Sequence, residues 1–171
     1  MWRQKIMFYL MRHGEASWNA QADFERPLTD QGKAALVTLV DENRESLEYI
    51  KKIVCSPFLR TRQTAQIIAK SIASTQFDGL CLNAHCESVL IVTDHRLTPN
   101  SSLLEALDSI EKHWSDNLLV ITHQPLIGSL VGYIEEGEMG FSMPISPASI
   151  FSYSMQRLGS GSGCRHSLFS V

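Results

Sequence analysis

I-M-F-Y-L-M-R-H-G, residues 6–14, is an apolar run that breaks without transition into an arginine, a histidine and a glycine. The run does not alternate between apolar and polar positions, so Ile6 to Met11 reads as a strand covered on both faces. It is too short for the apolar core of a secretory signal, Arg12 closes it at once, and no small-residue cleavage site follows. The same grammar recurs twice. Ile50 to Cys55 is a second apolar run, closed by Ser56 and Pro57, and Asn117 to Thr122 (N-L-L-V-I-T) is the clearest buried strand of the chain.

Helical patterns fill the intervals. Thr29 and Asp30 offer caps to a periodic segment reaching about Leu47. Phe58 to Ser74 follows, with Leu59, Ala65, Ile68, Ala69 and Ile72 available for an inner face. Glu87 to Thr93, centred on V-L-I-V, reads as a further strand, and Pro99 with Asn100 begins a loop. Leu103 to Trp114 resumes helical spacing, and Pro125 to Ile134 forms a helix with proline near its first turn. Ser149 to Met155 and His166 to Val171 flank G-S-G-S-G at 159–163 and suggest a terminal hairpin. Alternating strands and helices predict an α/β three-layer sandwich, its central sheet mostly parallel with room for antiparallel edges.

The chain of 171 residues suits one domain spanning 1–171. Its 44% hydrophobic and 19% charged residues are those of a globular protein. A net charge of −3 gives no basic footprint for nucleic acid, and no apolar run reaches the length of a membrane span. The four cysteines make no zinc-like pair of pairs. Cys81 and Cys86, with His85 between them, are a conceivable metal site, against the plainer reading of free thiols in a reducing cytoplasm.

Three polar segments each follow a predicted strand: R-H-G-E at 12–15, S-P-F-L-R-T-R-Q-T-A at 56–65 and T-H-Q-P at 122–125. Ligands of open α/β sheets bind beyond the carboxyl ends of strands, so these segments can converge. Two histidines and at least two arginines at one sheet edge suit a phosphate. Arginine presents a planar fork of donors to phosphate oxygens, and a neutral imidazole nitrogen is a competent nucleophile for phosphorus. Taken singly, each histidine also reads as a hydrogen-bonded structural residue, and Arg60 and Arg62 as a solvated helix face.

R-H-G near the N-terminus, S-P-x-x-R-x-x-Q-T-A in the middle and T-H-x-P-L-I-G late in the chain together resemble the histidine phosphatase superfamily, the phosphoglycerate mutase-like fold. The likeness covers about residues 5 to 155. R-P-L-T-x-x-G at 26–32 and L-T-P at 97–99 look most like the small bacterial phosphohistidine phosphatases. The resemblance implies that His13 is the nucleophile that becomes a phosphohistidine. It implies that Arg12 and Arg60 bind the phosphate and that His123 contacts the phosphoryl oxygens. Asn19 falls where mutase-like relatives, reading R-H-G-x-x-x-W-N, place a phosphate-contacting asparagine, and Arg26 is implied at the pocket rim. No cofactor and no metal role come with the likeness.

Phosphomonoesterases of this superfamily add a carboxylic acid to protonate the leaving alkoxide. The bacterial subgroup reads E-L-T-P where this chain has R-L-T-P, with Arg96 in place of the glutamate. Asp94, Glu15 and Glu87 are the remaining candidates for the acid. Phosphohistidine needs less help, because its leaving group is an imidazole with a pKa of about 6.5. The expected function is therefore a monomeric cytoplasmic phosphatase. By resemblance, its substrate is the phosphorylated histidine-containing phosphotransfer domain of a hybrid sensor kinase. A small-molecule phosphomonoesterase and a non-catalytic phosphohistidine-binding module are the alternatives.

Overall fold

In the computed structural model, which describes residues 6–74, 89–140 and 142–170, six strands form one sheet. The strands are β1 (Ile6–Arg12), β2 (Lys52–Cys55), β3 (Leu90–Thr93), β4 (Leu118–Thr122), β5 (Ile150–Met155) and β6 (Cys164–Phe169). The helices are α1 (Asp30–Glu42), the single turn α2 (Arg44–Leu47), α3 (Leu59–Ser74), α4 (Leu103–His113) and α5 (Leu126–Glu135). Spatial order across the sheet is β3-β2-β4-β1-β5-β6. β1 to β4 pair in parallel, whereas β5 runs antiparallel to β1 and β6 antiparallel to β5. The expected α/β architecture and terminal hairpin are both present, the hairpin with a register irregularity at Ser152/Tyr153.

Alternation along the central strands divides the core in two. Phe8, Leu10, Val54, Leu118 and Val120 face α4 and α5, with Ala106, Ile110, Ile127, Leu130 and Val131. Tyr9, Met11, Ile53, Cys55, Leu119 and Ile121 face the opposite layer, with Leu36 and Leu39 of α1 and Ala65 and Ile68 of α3. Both faces are apolar because both are covered, which accounts for the uninterrupted runs in β1 and β4.

Helix ends follow local chemistry. Thr29 caps α1 by accepting from the Gly32 amide at 2.9 Å. A single helix to Leu47 was the expectation, but the chain breaks at Asn43, whose φ of −118° leaves the helical region. There the Asn43 amide donates to the Leu39 carbonyl at 2.8 Å, satisfying an end carbonyl, and α2 restarts as one turn. α4 opens on a capping box, Ser102 with Glu105. β3 is shorter than the expected Glu87 to Thr93. Residues 75–88, with Glu87, Cys81, His85 and Cys86, lie outside the described part. As an edge strand β3 is only half covered, and Leu90 is exposed. Among the described residues, no cluster of three or more metal-ligating side chains occurs and no helix is long and apolar enough to cross a membrane.

The registers fix where the chemistry goes. Arg12 is opposite Thr122, and Cys55 is opposite Ile121, so β1, β2 and β4 end together. His13, Ser56 and His123 emerge at one sheet edge.

Candidate active site

His13 is held by its backbone before its ring is considered. Its amide donates to the Thr122 carbonyl at 3.2 Å, and its carbonyl accepts from the Ala148 amide at 3.1 Å. The ring Nδ1 lies 2.7 Å from the Gly14 carbonyl, which can only accept, so Nδ1 carries the proton and Nε2 keeps its lone pair. Gly14 serves packing: a Cβ there would meet Leu36 Cδ1 at 2.9 Å and the Gly32 carbonyl at 3.4 Å. Its amide donates to Thr64 Oγ1 of α3. The glycine thus lets the His13 turn lie against α1.

Arg60, in the first turn of α3, is 4% exposed, and its Nε donates to His13 Nε2 at 3.3 Å. Its two other nitrogens donate to Asp23, Nη1 to the carbonyl at 2.6 Å and Nη2 to Oδ2 at 3.0 Å. Arg12, next to the nucleophile candidate, donates from Nη1 to the Ile145 carbonyl, while its buried Nε has no partner among the described residues. His123 follows β4 directly. It is 1% exposed, its ring centroid lies 5.0 Å from that of His13, and neither of its ring nitrogens has a partner among the described residues. The edge of its ring contacts Phe58.

These side chains converge on a cleft of about 430 Å³. Arg26 lines it as well, fastened by Nε to the Ser17 carbonyl at 2.7 Å and by Nη1 to Asp23 at 3.1 Å, with its guanidinium 3.7 Å from the Trp18 ring centroid. Asn19 is exposed and does not line the cleft; its amide donates to Ser17 Oγ. The structure therefore gathers His13, Arg12, Arg60, His123 and Arg26 and leaves Asn19 outside.

The acid candidates separate clearly. Asp94 does not line the cleft. Arg96 folds back on it, Nε to Oδ1 at 3.0 Å and Nη2 to Oδ2 at 2.6 Å, and Ser109 adds a third donor at 2.8 Å. Hydrogen bonds from Arg96 hold the Asp94 carboxyl far below the usual range, so it is an ionised structural group and no proton donor. Arg96 also pairs with Asp108. Glu15 does line the cleft, exposed, with Oε2 accepting from Thr29 Oγ1 at 3.1 Å.

Burial sets the charge state of the two histidines. It pushes His13 down to about 4, against the Gly14 hydrogen bond and helped by the positive charges of Arg60, Arg12 and Arg26. Burial also drives His123 far down, with His13, Arg60 and Arg12 adding to the effect. Both rings are neutral near pH 7. In an NMR titration the His13 ring signals should shift with a midpoint about 4, and a midpoint near 6.5 would refute the buried, arginine-flanked environment. The unfolded chain binds these protons more readily. The stability His13 contributes is therefore complete above about pH 6.5 and is lost as the pH falls from there towards 4.

A sequence model described as "Histidine phosphatase superfamily (branch 1)" matches residues 8–80. The phosphohistidine phosphatase SixA of Escherichia coli (strain K12) is 31% identical over 143 residues, covering 78% of this chain and 76% of its own. The chain belongs to the histidine phosphatase superfamily. A solved structure of the protein histidine phosphatase SixA complexed with tungstate superposes with a TM-score of 0.73 at 25% identity, covering 96% of this chain and 97% of that one. The probable phosphoglycerate mutase GpmB of Serratia proteamaculans (strain 568) is 31% identical over 145 residues, but the chain spans only 55% of its length.

Asp23 is the cleft residue that sequence reasoning missed. Its partner Arg60 lies 37 residues away, and no spacing rule links an acidic residue of a loop to an arginine of a helix so distant. The nearer relation was visible: Asp23 and Arg26 stand three apart across a 3-10 turn over Asp23–Glu25.

Proposed function

We propose that this superfamily member is a phosphohistidine phosphatase that takes the phosphoryl group onto His13. The observation carrying this reading is the state of His13. Its tautomer is fixed by the Gly14 carbonyl, and its Nε2 lone pair faces a cleft walled by Arg12, Arg60 and His123. In the first step Nε2 attacks phosphorus in line as the bond from phosphorus to the leaving imidazole nitrogen breaks, and that nitrogen recovers a proton. Water then attacks the phosphohistidine, releases inorganic phosphate, and returns Nε2 to its neutral form. Arg12 and Arg60 neutralise the oxygens through both steps, and the uncommitted nitrogens of His123 are placed to contact them.

The leaving group argues for a P–N bond. With Asp94 committed to Arg96, the cleft has Glu15 as its candidate acid, already hydrogen-bonded to Thr29. An imidazole leaves without a strong acid, and an alkoxide does not. The substrate we infer is the histidine-containing phosphotransfer domain of a sensor kinase. The chain would act as a single-domain cytoplasmic monomer that damps a phosphorelay. Glu15 at the cleft favours the second reading, a small-molecule phosphomonoesterase.

Phosphate release from a phosphorylated phosphotransfer domain, measured beside para-nitrophenyl phosphate and sugar phosphates, separates the two. A preference for the phosphoprotein supports P–N cleavage. Faster turnover of a small ester, lost in Glu15→Gln, transfers the function to ester hydrolysis.

A further inference from the structure

Asp23 is a cleft residue for which the phosphoryl chemistry above has no role. Its carboxylate spans two arginines, accepting from Arg60 Nη2 at 3.0 Å and from Arg26 Nη1 at 3.1 Å, while its carbonyl takes Arg60 Nη1 at 2.6 Å. The remaining donor of Arg60, Nε, points at the lone pair of His13 Nε2. The whole guanidinium is thus engaged: its fork holds an anion and its Nε caps the nucleophile. Although partial burial opposes it, hydrogen bonds from Arg60 and Arg26 keep the Asp23 carboxyl below its usual range, so the anion is permanent near neutral pH.

A phosphoryl group in line with His13 Nε2 needs that lone pair uncovered and needs donors for its oxygens. Arg60 meets both demands by turning Nε and the fork from Asp23 to the phosphoryl oxygens, an exchange of one fork-matched anion for another. Asp23 can give way. Its side chain is 54% exposed, against 5% for Arg60, so it can turn to water while the arginine stays in place.

We propose that Asp23 is a built-in competing anion: it holds Arg60 over His13 in the empty enzyme and must be displaced by any phosphoryl ligand. The inference rests on the cleft being a phosphoryl site. Its consequence is selectivity, because free phosphate gains little from exchanging with Asp23 and leaves readily. A phosphorylated protein adds contacts outside the cleft that pay for the displacement. A residue that merely aimed Arg60 would have the opposite signature, since removing it would loosen the arginine and weaken anion binding.

Calorimetric titration of inorganic phosphate into the full chain, its Asp23→Asn variant and its Asp23→Ser variant tests the sign. Both variants should bind phosphate about tenfold more tightly, equivalent to about 1.4 kcal/mol. The result also bears on turnover, as product inhibition should strengthen in step. If the parent binds phosphate and both variants bind it equally or more weakly, the competing-anion role is overturned and the phosphoryl site stands. If none of the three binds phosphate or vanadate, the site itself fails and takes this role with it.

Discussion

His13→Ala is expected to lower phosphatase turnover by at least about 10³-fold, with the fold retained. No other side chain can replace it. The lone pair of Nε2 is available because Nδ1 is committed to the Gly14 carbonyl, and His123, the other imidazole in the cleft, sits behind it at the end of β4. The structural loss is small by comparison. The turn stays fixed by the His13 backbone bonds to Thr122 and Ala148, neither of which involves the ring. The ring lines the cleft, so its removal opens space to solvent and leaves no sealed void, which limits the cavity penalty. Arg60 keeps Asp23 as a partner. Turnover and a thermal melt on the same preparation decide the matter. A folded variant retaining a tenth or more of parental turnover, about 1.4 kcal/mol of lost stabilisation, would end the covalent mechanism.

The parts legible in the sequence were those where one physical constraint acts alone. β1 and β4 are covered on both faces, so their apolar runs stand out, and the residues directly after them are His13 and His123. Parallel pairing then brings those ends together whatever the intervening residues are. Arg60 was legible for the same reason, lying just past the end of β2. Where two local constraints compete, the reading failed. The periodicity of α1 continues past Asn43, but a side-chain bond to Leu39 outweighs it. Asp94 was a reasonable acid until Arg96, two residues on, closed on it through a short 3-10 turn over His95–Leu97. That D-x-R spacing was available as a signal. The pairing of Asp23 with Arg60 was not, since it depends on how a loop lies against the start of α3. Asn19 shows the converse limit: a motif position can match while its side chain stands outside the cleft.

Arg60→Ala is expected to reduce kcat/KM by roughly 10²–10³-fold and to weaken vanadate inhibition in parallel. Two effects add. The variant loses the buried cation nearest the lone pair of His13, which the transferring oxygens need for charge neutralisation. It also strips Asp23 of its principal partner, leaving a carboxylate at the cleft held by Arg26 alone and repelling the incoming phosphoryl group. The second effect makes the two positions non-additive. Adding Asp23→Asn to Arg60→Ala should recover part of the lost vanadate binding, a coupling that a double-mutant cycle reads directly. Arg60→Lys should fall between the parent and the alanine variant, because an ammonium supplies the charge but lacks the fork that spans two oxygens. An alanine variant within about threefold of the parent in both kcat/KM and vanadate inhibition would remove Arg60 from the phosphoryl site. The phosphate would then depend on Arg12 and Arg26, whose guanidiniums also reach the cleft.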